Sequence, residues 1–101
     1  MGRRIPITIG DREFNSVTAA VLFFRKILLL YGIGQAICMK EDLTAMFDLF
    51  MMHPSRDEKL AGQAVAGFEV NLRNYGSRCF YVVRADGSRV HFSYKCCIGL
   101  K

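Results

Sequence analysis

Tryptophan is missing from this 101-residue chain, and proline and histidine occur twice each, as Pro6, Pro54, His53 and His91. Four cysteines, Cys38, Cys79, Cys96 and Cys97, form no C-x-x-C pair, so nothing has the spacing of a tetrahedral metal site. No metal and no cofactor is expected, and the thiols read as reduced and largely buried, as in a cytosolic protein. Long apolar runs are also lacking. Ile27–Tyr31 is set off upstream by Arg25 and Lys26 and falls far short of the roughly 20 residues of a membrane span. The opening Met-Gly-Arg-Arg leads into Ile5-Pro6-Ile7-Thr8 rather than a signal-peptide apolar block. Pro6 stands where a myristoylation motif wants Ser or Thr. The expectation is a cytoplasmic protein that neither crosses nor anchors to a membrane.

The scarcest feature is acid in the last third. From Val70 to Lys101 the single acid is Asp86, against Arg73, Arg78, Arg84, Arg89, Lys95 and Lys101. Six positive charges minus one negative give +5, the formal net charge of the whole chain. The first 69 residues carry eight basic and eight acidic groups, which cancel. An excess of positive charge on one segment offers that segment to an anionic partner. The rest of the composition, 51% hydrophobic and 23% charged, is that of an ordinary folded core, and residues 1–101 read as one domain.

Hydrophobic periodicity divides the chain. Ile5, Ile7 and Ile9 alternate into Gly10-Asp11, a short strand and a turn. Ser16 is placed to cap a helix in which Val17, Ala20, Val21, Phe24, Ile27, Leu28 and Tyr31 recur at three and four. Gly32 and Gly34 are suited to end it in the left-handed conformation. A second helix opens near Glu41-Asp42, whose carboxylates suit the positive end of the helix dipole. Its apolar stripe is Leu43, Met46, Phe47 and Phe50, and His53-Pro54 stops it. Ser55–Lys59 makes one further turn. From Val65 the period becomes two: Phe68, Val70 and Leu72 alternate with Glu69, Asn71 and Arg73. After the turn cluster Asn74-Tyr75-Gly76-Ser77, strands Arg78–Arg84 and Arg89–Tyr94 are joined around Asp86-Gly87. The fold class is therefore α+β, with two main helices on one face of a small, mainly antiparallel sheet that ends in a hairpin.

A two-residue Asp86-Gly87 turn would place Arg84 opposite Arg89, Val83 opposite Val90 and Phe80 opposite Ser93. One face of the hairpin then collects Val83, Val90, Tyr81, Phe92, Cys79 and Tyr94, a core face. The other collects Arg78, Phe80, Val82, Arg84, Arg89, His91, Ser93 and Lys95, a cationic surface with an aromatic ring, as a nucleic-acid platform requires. A three-residue turn with a glycine bulge would shift the register and mix the two faces.

Catalysis has weaker support. This register points Cys79 into the core, where it is a structural thiol rather than a nucleophile. His53 reads as a helix-terminus residue bonding free carbonyls, or as a polar anchor that orders the next loop with Lys59. Lys59 follows Asp57-Glu58 and reads as a solvated charge. A nuclease would need His53 and His91 together as acid and base.

His53-Pro54, Lys59, Arg78-Cys79-Phe80, Arg84, Asp86-Gly87 and Phe92-Ser93-Tyr94-Lys95-Cys96 together resemble the DCL ("defective chloroplasts and leaves") domain, whose members include small bacterial proteins of unassigned function. Phe24 and Leu28-Leu29 before Tyr31-Gly32 fit as well, so the resemblance spans nearly the whole chain. His91 departs from it, standing where the family tends to an acid, and Leu60–Ala64 keeps only one glycine of a glycine-spaced stretch. The resemblance implies an α+β domain with His53, Lys59, Cys79 and Ser93 as motif residues. In plants the family is associated with maturation of plastid ribosomal RNA, and a related domain ends plant-specific RNA polymerase largest subunits. Charge and resemblance together lead to the expectation of a monomeric, non-catalytic RNA-binding domain that assists ribosomal RNA maturation. A module docking on an acidic protein in a ribosome or polymerase assembly is the alternative, and a nuclease the second.

Overall fold

The computed structural model describes residues 6–73 and 76–98. Its first element is a small hairpin rather than a lone strand. β1 (Ile7–Ile9) pairs antiparallel with β2 (Arg12–Phe14) across Gly10-Asp11. Gly10 adopts a positive φ of 61°, and a Cβ there would collide with the Asp48 carboxylate. Ile5, the first residue of the expected alternation, and Asn74 and Tyr75 of the expected turn lie outside the described residues.

Helix α1 (Val17–Leu30) starts where the serine predicts, with Ser16 Oγ accepting the Ala19 N–H at 3.1 Å. That bond satisfies one of the donors left free by the first turn. Ala20, Phe24, Ile27 and Leu28 form its buried stripe. Its end differs from expectation. Tyr31 is extended, and Gly34 but not Gly32 takes a positive φ, 82°. The free carbonyls are capped from another part of the chain: Arg78 Nη1 donates to Tyr31 O at 2.8 Å and Leu28 O at 3.3 Å. A guanidinium suits the negative end of a helix that has no basic residue in its own last turn.

Helix α2 (Lys40–Phe50) carries Glu41 and Asp42 in its first turn, as its dipole favours. Tyr31 joins the two helices: its hydroxyl donates to Asp42 Oδ2 at 2.7 Å and accepts the Met39 N–H at 3.2 Å. The buried face of α2 is Ala45, Met46, Leu49 and Phe50. Phe47, expected in that stripe, is 45% exposed. It sits about 100° around the helix from Met46 and borders β4 instead. After His53-Pro54, the single turn α3 (Arg56–Leu60) ends on left-handed Ala61.

Four antiparallel strands form the main sheet in the order β3-β4-β5-β6: β3 (Gln35–Ala36), β4 (Val65–Leu72), β5 (Arg78–Arg84) and β6 (Arg89–Phe92). β3 is two residues long and leaves no periodic trace in the sequence. The last strand is shorter than expected. At Ser93 the chain turns into α4 (Tyr94–Ile98), with Ser93 Oγ facing the Cys96 N–H at 3.4 Å. Cys97 and Ile98 are thereby buried, and α4 packs against both α1 and α2.

The hairpin register is one residue away from the two-residue-turn expectation. Arg84 pairs with Ser88, so Ala85-Asp86-Gly87 is a three-residue loop, with Gly87 at φ 88°. Asp86 Oδ1 accepts the Ser88 N–H at 2.9 Å, a local bond that favours this longer turn. Phe80 then opposes Phe92, Tyr81 opposes His91, Val82 opposes Val90 and Val83 opposes Arg89. A one-residue shift moves side chains across the sheet. Phe80, Val82, Val90 and Phe92 thus face the helices, while Cys79, Tyr81, Val83, Arg89 and His91 lie on the other side.

Phe92 is the centre of the core that results. Its ring lies 5.0 Å from Phe50 and 6.0 Å from both Phe68 and Phe80. Phe92→Ala should lower the unfolding free energy by about 3–5 kcal/mol, because these rings cannot collapse around the gap. Urea denaturation followed by far-UV circular dichroism measures that loss.

Candidate functional site

Arg89 and Phe80 have to leave the expected cationic face. Phe80 is 1% exposed and stacks beneath Phe92, so it offers no ring to a ligand. Arg89 lies on the far side of the sheet, where its Nε donates to Glu69 Oε1 at 2.5 Å. Glu69 is 5% exposed and also accepts from Asn71 Nδ2 at 3.2 Å. A buried carboxylate needs such partners, and Arg89 supplies the charge that balances it. Cys79, expected inside, is half-buried on that same outer side, with Sγ 3.5 Å from Phe92 O and 3.4 Å from Phe80 O. The thiols are also less buried than expected, since Cys38 and Cys96 are exposed.

What the structure does bring together is the set of residues around β6, the edge strand of the sheet. His53 is buried and packs edge-on to Phe92, with ring centroids 6.4 Å apart. Its Nδ1 accepts the Ser55 N–H at 3.0 Å, which leaves the proton on Nε2. It is thus the anchor of the α3 loop rather than a cap on α2 carbonyls. Lys59 is not simply solvated either. Its Nζ donates to His91 O at 2.9 Å, closing the free edge of β6. Arg84 Nη1 donates to Lys59 O at 3.3 Å, and its Nε donates to Ser88 Oγ at 2.7 Å. The motif residues His53, Lys59, Cys79 and Ser93, spread over 41 positions of sequence, all meet the segment His91–Ser93 or belong to it.

Two adjoining cavities open along this edge. The first, about 560 Å³, is walled by Leu28, Phe80, Phe92 and Tyr94, with Arg73, Arg78 and Lys95 around them. The second, about 660 Å³, gathers His53, Lys59, Arg73, Arg84 and His91, with Glu58 the single acid among the described residues lining it. Arg73, Phe92 and Ser93 belong to both. Arg78, Arg84, His91 and Lys95, expected to share a hairpin face, therefore do share a surface, but it is a trough at the sheet edge. In the sequence Arg73 belonged to the charge count and to the strand alternation, with no site role. Its place follows from β4 outlasting its buried stretch, which puts Arg73 at the strand end beside the trough.

The electrostatics of the trough suit an anion better than covalent chemistry. Burial first, and then the Lys59 ammonium, hold His53 below the ordinary histidine value. Burial, with Arg73 and Lys59 next, does the same for His91. Burial pushes the Cys79 thiol up against the smaller opposing pull of Arg73, so it stays protonated at neutral pH. Cys97 is pushed up to about 12, again by burial. Among the described residues no group of three His, Cys, Asp or Glu side chains could hold a metal ion, and no helix is long and apolar enough to cross a membrane.

Comparisons with known proteins extend over most of the chain. A family model described as a protein of unknown function (DUF3223) matches residues 25–98. The chain is 29% identical over 94 residues to Protein EMBRYO DEFECTIVE 514 of Arabidopsis thaliana, covering 92% of this chain and 46% of that protein. It is 33% identical over 96 residues to Protein DCL, chloroplastic, of Solanum lycopersicum, covering 89% of this chain and 42% of that protein. The chain thus spans less than half the length of these curated relatives. The solution NMR structure of an uncharacterized protein from Rhodospirillum rubrum superposes with a TM-score of 0.82 at 34% identity, covering 96% of this chain and 91% of that one.

Two outcomes test the site's internal logic. Arg89→Ala should destabilise the fold by about 1–3 kcal/mol, since it strips a buried carboxylate of its charged donor; chemical denaturation at pH 7.5 reads this. The second concerns His53, whose folded-state pKa lies below its unfolded value of about 6.5. The unfolded chain therefore takes up the proton first as pH falls. The stability contribution of this group is complete above pH 6.5 and declines below it. An NMR titration should show the His53 ring protonating below pH 6.5, and the protein should need less urea to unfold at pH 5.5 than at 7.5.

Proposed function

The chain belongs to the DUF3223 family, and we propose that it is a non-catalytic RNA-binding domain whose contact surface is the trough along β6. The observation that carries this reading is the gathering of Lys59, Arg73, Arg78, Arg84 and Lys95 around two cavities with one acid, Glu58, among their described lining residues. Phosphates are the anions that reward several cations at once, through release of condensed counterions. The family resemblance, associated in plants with maturation of plastid ribosomal RNA, favours RNA as the polymer and an accessory role in its processing. Docking on an acidic protein would draw on the same charges but gives no reason for the cavity beside Tyr94.

His53 and His91 do line one cavity, which gives the nuclease reading its one observation. General acid–base cleavage needs one imidazole and one imidazolium. Burial and the neighbouring cations hold both rings below the ordinary histidine value, and His53 Nδ1 is already engaged by the Ser55 N–H, which favours binding over cleavage.

Fluorescence anisotropy with labelled RNA tests the proposal. If about four phosphates are engaged, affinity should fall roughly 50-fold between 50 and 200 mM salt. Arg73→Ala and Lys95→Ala should each weaken binding and make the salt slope shallower by about one unit of charge. Arg25→Ala, on an exposed position of α1 outside both cavities, should leave the slope unchanged. Equal slopes for all four proteins, or RNA shortened on incubation, would refute the reading.

A further inference from the structure

The two cavities share a cationic character and differ in what stands beside the charges. The smaller has the half-buried ring of Tyr94 beside Arg73, Arg78 and Lys95. The larger has His53 and His91 beside Lys59, Arg73, Arg84 and the acid Glu58, and the two cavities join at Arg73 and Ser93. We propose that together they take one unpaired nucleotide of a single RNA strand. Its base lies against Tyr94 in the smaller cavity, and its phosphate enters the larger between Arg73, Lys59 and His53. The inference deepens the RNA-binding reading and rests on it.

Tyr94 is the ring that can serve. Phe80 and Phe92 are locked in the core, whereas Tyr94 is half-buried and meets Phe80 edge-to-face at 5.7 Å and 82°. Its position is fixed because Ser93 starts α4 and because α4 is clamped by α1 and α2. A base stacked on an aromatic ring must show its π-face, which an unpaired base does and a paired one inside a duplex does not. A helix of stacked pairs offers its backbone flank and no free base face to Tyr94, so an unpaired base is the better match.

The larger cavity supplies the matching anion site. His53 is buried and lines the cavity, its Nδ1 is occupied by the Ser55 N–H, and Nε2–H is its remaining polar ring group. A fixed neutral donor beside Lys59 and Arg73 suits a phosphate oxygen. Lys59 remains held to His91 O, so its charge sits at a defined place rather than on a mobile stem.

Four RNAs of equal length decide the matter: a single strand, its duplex, the single strand with abasic sites, and the single strand carrying 2-aminopurine. The single strand should bind about tenfold more tightly than the abasic strand, in the range of base–aromatic stacking, and more tightly than the duplex. The 2-aminopurine fluorescence should change on addition of the protein, and Tyr94→Leu should abolish that change, with its melting curve checking that it is folded. If Tyr94→Leu does not fold, the abasic comparison and the wild-type 2-aminopurine signal decide alone. Salt-sensitive binding that prefers the duplex, or that ignores abasic sites, would overturn the unpaired-nucleotide site and leave the RNA-binding reading standing. Absence of binding to all four would overturn both.

Discussion

The ring of Phe92 sets the terms for everything around it. Packed among Phe50, Phe68 and Phe80, it can occupy its place in only one hairpin register, because a slip of one residue would send it to the opposite side of the sheet. That register decides which cations stand together. It delivers Arg84 to the edge beside α3 and sends Arg89 across the sheet to Glu69. Hydrophobic packing, at roughly 2–3 kcal/mol for a fully buried aromatic side chain, outweighs any preference of exposed charges for one face or the other, worth well under 1 kcal/mol a pair.

The cations of the trough hold the fold as well as lining a surface. Arg78 finishes α1, Lys59 closes the edge of β6, and Arg84 ties the hairpin to α3. Each retains charge and further N–H groups beyond the bonds described. Fixing a long basic side chain in this way removes rotamer freedom before any ligand arrives, so less of it is lost on binding. On the RNA-binding proposal, charge held at defined points around two concave sites would favour selective over merely sticky contact.

Much of the fold was legible where the signal is local. Ser16 and the period of Val17–Leu28 marked α1, the alternation about Phe68 and Val70 marked β4, and Pro54 separated α2 from α3. What the residues could not show is what depends on distant partners. Asp86-Gly87 is compatible with two loop lengths, and the choice was made by the core and by Asp86 bonding Ser88. β3 exists because Gly34 and Ile37 find the carbonyls of Val70 and Phe68. Of the site, the charge excess and the motif residues were readable, but the expected platform was not the surface that formed. Phe80 and Arg89 were placed by a register that sequence spacing left open.

The cap on α1 bears on how the molecule comes into being. The carbonyls of Leu28 and Tyr31 are answered by Arg78, 50 and 47 positions further along. In a nascent chain that helix is made long before its cap exists, and its last turn stays open to water in the meantime. Synthesis must therefore run through β4 and reach the first residue of β5 before the end of α1 finds its cap. The basic trough, whose lining runs from Leu28 to Cys96, likewise needs nearly the whole described chain.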